Sequence, residues 1–272
     1  MSSAADGFLK LHHGEKPLLL PNPWDVGSAK LLESLGFEAL ATTSSGFAAT
    51  LGRLDGSVTR EEALAHSATI VSATSLPVSA DLENAFADEP EGVQQTVRLA
   101  IDAGLAGCSV EDFTGREDDP IYPLEAAAER IAAAAEAAHG GPGRLVLTAR
   151  SENFLHGRKD MADTIARLQA FQEAGADVLY APGIRSADDI RSIVESVDLP
   201  VNALAVPGAP TVPELAEIGV RRVSVGGGFA FAAAGALVAA GRELLEQGTY
   251  GFWDTARVGY QATHEAFAQP PP

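Results

Sequence analysis

Eight short apolar runs recur along this chain, at residues 17–20, 39–43, 78–83, 107–111, 145–150, 178–181, 201–205 and 222–226. Stretches of helical patterning separate them, at 27–35, 60–75, 90–103, 123–139, 161–175, 186–197, 211–218 and 229–246. Strands that alternate with helices must pair in parallel, because each return to the sheet needs a crossover. Eight such units in 272 residues fit a closed (β/α)8 TIM barrel better than an open doubly wound sheet. An open dinucleotide-binding sheet would also want Gly-x-Gly-x-x-Gly after an early strand. Here the nearest run, Gly226-Gly227-Gly228, follows the last strand. In a barrel those glycines either let a phosphate or carboxylate approach backbone N–H groups or merely allow a tight turn. Several helices run into glycine, at Gly36, Gly104, Gly175 and Gly219, where a left-handed cap is expected to end each one.

Residues 1–272 read as one barrel domain, with 251–267 an appended amphipathic helix and 268–272 a disordered tail. The appended helix carries Phe252, Trp253 and Tyr260, and its apolar face is expected to pack on its own barrel or on a partner subunit. A net charge of −18 repels phosphate backbones and anionic lipids, so nucleic acid and membranes are excluded as expected partners. The one cysteine, Cys108, allows no intrachain disulfide and suits a reducing compartment. It lies inside the fourth strand, where a small buried hydrophobe is the ordinary occupant. The first 16 residues contain no apolar core flanked by basic residues, so no secretory signal is expected. The apolar runs 131–138 and 229–240 fall short of the roughly 20 residues that a membrane helix needs. A cytoplasmic protein is the expectation.

In a barrel of this kind the chemistry sits at the C-terminal ends of the strands. Those positions here hold Asn22-Pro23-Trp24-Asp25, then Thr42-Thr43-Ser44-Ser45-Gly46, Asp81 with Glu83, Glu111-Asp112, Arg150 with Glu152, and Asn202. Asp81 and Glu83, spaced i and i+2, would share one face of a strand. Two like charges that close repel unless something positive sits between them. Together with Glu111 they present the oxygen donors that Mg²⁺ prefers, partly through water. Arg150 offers a planar fork for a substrate carboxylate, or it neutralises Glu111 or Glu152. The Thr43–Ser45 stretch supplies hydroxyls and turn amides for a second carboxylate, or it caps a helix. Asp55, before Gly56, is an acid/base candidate or an Asp-Gly turn, and spacing alone favours the turn. Trp24 is expected to pack over the barrel mouth. The six histidines show no His-x-x-x-His spacing, which argues against zinc.

Taken in order, Pro23-Trp24-Asp25, Thr43-Ser44-Ser45, Leu51-Gly52, Asp55, Asp81-Leu82-Glu83, Ala103-Gly104, Glu111-Asp112 and Ala149-Arg150 resemble the isocitrate lyase/phosphoenolpyruvate mutase superfamily, over residues 17 to 245. The resemblance implies a (β/α)8 barrel whose C-terminal helix is exchanged between subunits, giving homodimers or homotetramers. It implies a Mg²⁺-dependent enzyme, with Mn²⁺ as an alternative metal, that makes or breaks a C–C or P–C bond beside a small anionic 2-oxo or 2-hydroxy acid. Under it Asp81 becomes the direct metal ligand, with Glu83 and Glu111 acting mainly through water. Asp55, Glu111 and Arg150 take catalytic places. Thr43, Ser44, Ser45, Gly46, Asp81, Arg150, Asn202 and Trp24 contact substrate. One departure stands out. Where the family's lyases carry a Cys-Gly-His motif after the fourth strand, and its mutases a lysine, this chain reads Phe113-Thr114-Gly115-Arg116-Glu117-Asp118-Asp119-Pro120-Ile121-Tyr122-Pro123. Arg116 or Tyr122 would have to substitute. The leading expectation is a C–C lyase, with a phosphonate-processing mutase or hydrolase, or a non-catalytic 2-oxo acid binder, as alternatives.

Overall fold

The computed structural model describes residues 4–141 and 144–268; the predicted tail at 269–272 lies outside them. The elements run α1 (Ala4–Leu11), β1 (Leu18–Leu20), α2 (Val26–Ser34), β2 (Leu40–Ala41), α3 (Ser44–Thr50), α4 (Arg60–Val71) and β3 (Val78–Asp81). Next come α5 (Pro90–Asp102), β4 (Gly107–Glu111), α6 (Leu124–His139), β5 (Val146–Arg150), α7 (Met161–Glu173) and β6 (Val178–Tyr180). The chain ends with α8 (Ala187–Ser196), β7 (Val201–Leu204), α9 (Val212–Ile218), β8 (Arg222–Ser224), α10 (Gly228–Gln247) and α11 (Trp253–Phe267). All eight strands are parallel, in the order β1-β8-β7-β6-β5-β4-β3-β2. A backbone bond from Ala41 N–H to Pro21 O (3.0 Å) links the two ends of that ladder, so the sheet is the nearly closed TIM barrel that the strand count predicts.

The predicted glycine caps are in place: Gly36, Gly104, Gly175 and Gly219 all have φ between 81° and 103°. Two expectations need correction. The third strand stops at Asp81, and Glu83 sits at φ 48°, followed by Ala85 and Phe86 at 61° and 54°. Asp81 and Glu83 therefore do not share a strand face; a left-handed bend, unfavourable for three non-glycine residues, brings them together instead. The apolar run at 229–240 belongs to a 20-residue helix, α10, which is long and apolar enough to cross a membrane by length and composition. It stands off the barrel with Phe231, Leu237 and Leu245 exposed, while the end of α11 returns to α2, placing Phe267 against Gly27.

Burial divides into two layers. Between strands and helices, Leu40, Val110, Leu147 and Leu179 pack against Ile70, Val97, Ile131 and Phe171. Inside the barrel, Leu18, Leu20, Ala41, Val146 and Val178 close over Phe8 of α1, a helix with no counterpart in the predicted elements. Phe8 is fully buried, which stabilises the fold by roughly 2–3 kcal/mol. Gly107 makes room for it: a Cβ there would lie 2.7 Å from the Phe8 ring. Above this floor the interior turns polar, with Ser79, Ser109, Thr148, Asn202, Arg222 and Ser224 all buried. Barrel interiors are ordinarily filled by branched aliphatics, so this layer marks where the packed core gives way to a site.

Candidate active site

A cavity of about 140 Å³ opens at the C-terminal ends of the strands. That suits a compact acid and is too small for a nucleotide or a drug-sized ligand. Arg150, at the end of β5, is its centre. Its Nη1 bonds Asp81 Oδ1 at 2.9 Å, Nη2 reaches Glu111 Oε2 at 3.1 Å, and Nη2 and Nε both meet Glu152 Oε1 at 3.0 Å. Burial opposes its charge, but Glu152, Glu111 and Asp81 outweigh that and hold its pKa above the ordinary arginine value.

Asp81 is shared further. Its Oδ1 accepts from Ser109 Oγ and Glu83 N–H, both at 3.4 Å, and its Oδ2 accepts from Ser44 N–H at 3.3 Å. Burial, then the charges of Asp81 and Asp55, push Glu83 up to about 8, with Arg150 only partly offsetting them. Burial likewise drives Glu111 well above the carboxylate range, although Arg150 opposes it. The acids gathered around Arg150 thus outnumber it.

The Thr43–Ser45 stretch both caps a helix and lines the cavity. Thr43 is the N-cap of α3, accepting from Gly46 N–H at 3.3 Å, and its hydroxyl lies 3.1 Å from Ser45 Oγ. Ser44, Ser45 and Asp55 face the cavity; Asp55 also accepts from Gly56 N–H at 3.2 Å, so the Asp-Gly turn sits within the wall. Of the other predicted contacts, Gly46 is a packing residue, since a Cβ there would meet Thr43 Cγ2 at 2.5 Å and Trp24 Cβ at 3.2 Å. Neither Gly46 nor Trp24 lines the cavity. Asn202 lies buried below it, donating to Ser224 Oγ at 3.0 Å. The terminal glycine run acts mainly as a turn: Gly226 has φ 54°, and its N–H is taken by Asn22 Oδ1 at 2.9 Å. Asn22 also binds Thr42 O and Val225 N–H, tying the barrel together at its weakest seam.

Segment 113–123 folds away from the cavity. Arg116 pairs with Asp88 at 3.4 Å, and the buried Tyr122 donates its hydroxyl to the same carboxylate beneath Arg130. Asp112 points outward too, paired with the fully buried Arg167 at 3.0 Å. Cys108 is buried among apolar residues, and burial lifts its thiol to about 12, so it is no nucleophile. Sequence reasoning placed Asn22 at a strand end without giving it a role and missed Arg222, Tyr180 and Ser109; all four line the cavity. Strand periodicity was the available signal, because Arg222 and Ser224 alternate inward on β8 as Thr148 and Arg150 do on β5.

Among the described residues no three His, Cys, Asp or Glu side chains form a ready-made metal cage. The donor set still fits Mg²⁺, which keeps much of its water and needs only one or two carboxylates. Asp81 shares Arg150 with two other acids, and Glu83, lifted by burial and by the acids around it, forms no ion pair among the described residues, so both offer oxygen ligands to a cation.

A model of the phosphoenolpyruvate phosphomutase family matches residues 8–245. This chain belongs to that family. Among solved structures, a Burkholderia cenocepacia protein provisionally assigned as a lyase/mutase is 50% identical, with a TM-score of 0.95 over 98% of this chain and 97% of that one. An uncharacterised Mycobacterium tuberculosis protein is 32% identical over 93% of this chain and 97% of its own length. The 2-methylisocitrate lyase of Escherichia coli is 30% identical over 70% of this chain and 65% of that enzyme. Family membership places the chain among enzymes of the isocitrate lyase/phosphoenolpyruvate mutase superfamily, which act on small carboxylates.

Proposed function

We propose that this protein is a Mg²⁺-dependent carbon–carbon lyase acting on a small 2-oxo or 2-hydroxy dicarboxylate. The observation that carries the reading is Asp81, held at the cavity edge by Arg150 and Ser44 N–H with Glu83 beside it. Asp81 would hold the ion, with Glu83 and Glu111 orienting its water. Bound there, Mg²⁺ would supply Lewis-acid polarisation of the substrate oxygen. With a 2-oxo substrate, heterolysis of the C–C bond leaves its electron pair on the 2-oxo acid fragment as an enolate. With a 2-hydroxy substrate, loss of the hydroxyl proton forms the C=O of the 2-oxo acid product, and the C–C electron pair stays on the other carboxylate fragment, where the charge spreads onto oxygen. Arg150 and the amides and hydroxyls of Ser44 and Ser45 face that oxygen's side of the cavity and stabilise the developing charge. Glu111 and Glu152 fix the guanidinium plane. Asp55, on the wall, is assigned to carry the proton.

The test is calorimetry of Mg²⁺ and oxalate on the wild type and Asp81→Ala, followed by proton NMR over a panel of oxo- and hydroxy-acids. Unchanged binding of both ligands in the variant would refute the site. The match to the phosphoenolpyruvate phosphomutase family model favours one second reading, P–C bond chemistry. Turnover of phosphonopyruvate followed by phosphorus NMR decides between them. The exposed apolar faces of α10 and α11 support a homodimer or homotetramer formed by helix exchange, which light scattering would test; a monomer at micromolar concentration would refute it.

A further inference from the structure

Arg222 lies on β8, 4% exposed, and its guanidinium reaches the cavity. Its Nη1 donates to Thr148 Oγ1 at 2.8 Å. Its Nε is buried without a partner, and among the described residues no carboxylate pairs with it. The residue beside it on β7, Asn202, likewise has a buried and unpartnered Oδ1. A charge taken out of water without a counter-ion is costly, and proteins keep such groups where a ligand completes them. Three carboxylates of the chain already engage Arg150, so it offers a substrate far less positive charge than an unpaired arginine would. Burial and the nearby Arg150 draw Arg222 down to about 10, which leaves it charged at neutral pH.

We propose that Arg222, seated by Thr148, receives a second anionic group of the substrate, so that the cavity selects dianions over monoanions. This deepens the lyase reading above and rests on it. The first carboxylate meets the Ser44–Ser45 and Arg150 end; the second, a carboxylate or a phosphonate, forms charge-assisted bonds with the Arg222 fork.

The experiment titrates wild type, Arg222→Met, Arg222→Lys and Thr148→Val with three probes in Mg²⁺ buffer. The probes are pyruvate, 3,3-difluorooxaloacetate and phosphonopyruvate. Arg222→Met is expected to lose at least tenfold in affinity for one or both dianions while pyruvate changes less than twofold. Arg222→Lys should recover part of the loss. Thr148→Val, which keeps the charge, should weaken the same dianion two- to fivefold. Loss confined to one dianion names the second group as carboxylate or phosphonate and supports the proposal either way. Equal losses on all three probes, or none, would overturn it. A structural arginine would also lower the ligand-free melting temperature when replaced. Here Arg222→Met should melt at or above wild type, and a fall of more than about 5 °C would count against the proposal. If wild type binds none of the probes, the lyase reading falls and takes this inference with it; if it binds the dianions and Arg222→Met keeps them, only the inference falls.

Discussion

Arg150 and Arg222 are the same residue type in one cavity, on β5 and β8, yet their surroundings are opposites. Arg150 is surrounded by Asp81, Glu111 and Glu152 within 3.1 Å, whereas Arg222 has a threonine hydroxyl. The first arginine is a keystone that holds an acidic wall together. The second is a buried charge with donors to spare. The difference teaches that arginine content alone says little about where an anion binds; what matters is how many of the five donors the chain itself occupies.

The largest effect expected from this contrast is on stability. Replacing Arg150 by Met leaves the buried Glu111 and Glu152 and the partly buried Asp81 without their counter-charge, a loss of about 3–5 kcal/mol when one partner of a buried ion pair is removed. Urea denaturation should show this as a lower midpoint at unchanged slope, while Arg222→Met shifts the midpoint little or upward. Equal destabilisation by the two variants would break the comparison.

A second expectation concerns the acids that Arg150 does not reach. Glu83 is pushed up to about 8, first by burial and then by Asp81 and Asp55, against about 4.3 for an unfolded glutamate. A carboxyl raised on folding holds its proton better in the native state than in the unfolded chain. Its contribution is fully present below pH 4.3 and is lost as pH climbs through 8, by at most about 1.4 kcal/mol per pH unit. In chelator, stability should therefore fall between pH 5 and 8, Glu83→Gln should flatten that slope, and added Mg²⁺ should flatten it too by favouring the ionised form. A slope unchanged in Glu83→Gln would show that other acids, such as Glu111, carry the titration.

Most of the frame and about half of the cavity were legible in the sequence, and the division follows from local physics. The alternation of apolar runs with helical patterning reports sheet and helix directly, and a parallel barrel then places Asp81, Arg150 and Ser44–Ser45 at one end. Position on a strand is a local property. Arg222 escaped because it opens β8 rather than closing it, next to Arg221, and only its long side chain carries the charge up to the cavity. The placement of Glu83 failed in form because an extended strand was assumed through a bend at φ 48°. Helix α1 escaped because about two turns of helix near a terminus have no partner in the sequence; its partner is the hollow above Gly107. Gly46, in α3, and Trp24, between β1 and α2, lie at the right end of the barrel, but Gly46 packs against Trp24 and Ala230 of α10, a choice made by packing that no spacing rule records.

The smallest expected effect belongs to the segment after β4, and it tests whether the two-arginine account is complete. Arg116 is a third cation near the barrel mouth, and its side chain is nearly half exposed in a pair with Asp88 at 3.4 Å. Exposed pairs of this kind contribute roughly 0–1 kcal/mol, so Arg116→Ala should barely move the urea midpoint. If the segment keeps its present course, turnover of whichever acid proves to be the substrate should change by less than about threefold, because Tyr122 and Thr114 anchor the loop independently through Asp88 and Pro120. A loss of a hundredfold or more in kcat with KM unchanged would mean that the segment swings inward during the reaction and brings Arg116 to the substrate. Arg116 would then be the cation that acts on the transition state, leaving Arg222 to bind and Arg150 to brace.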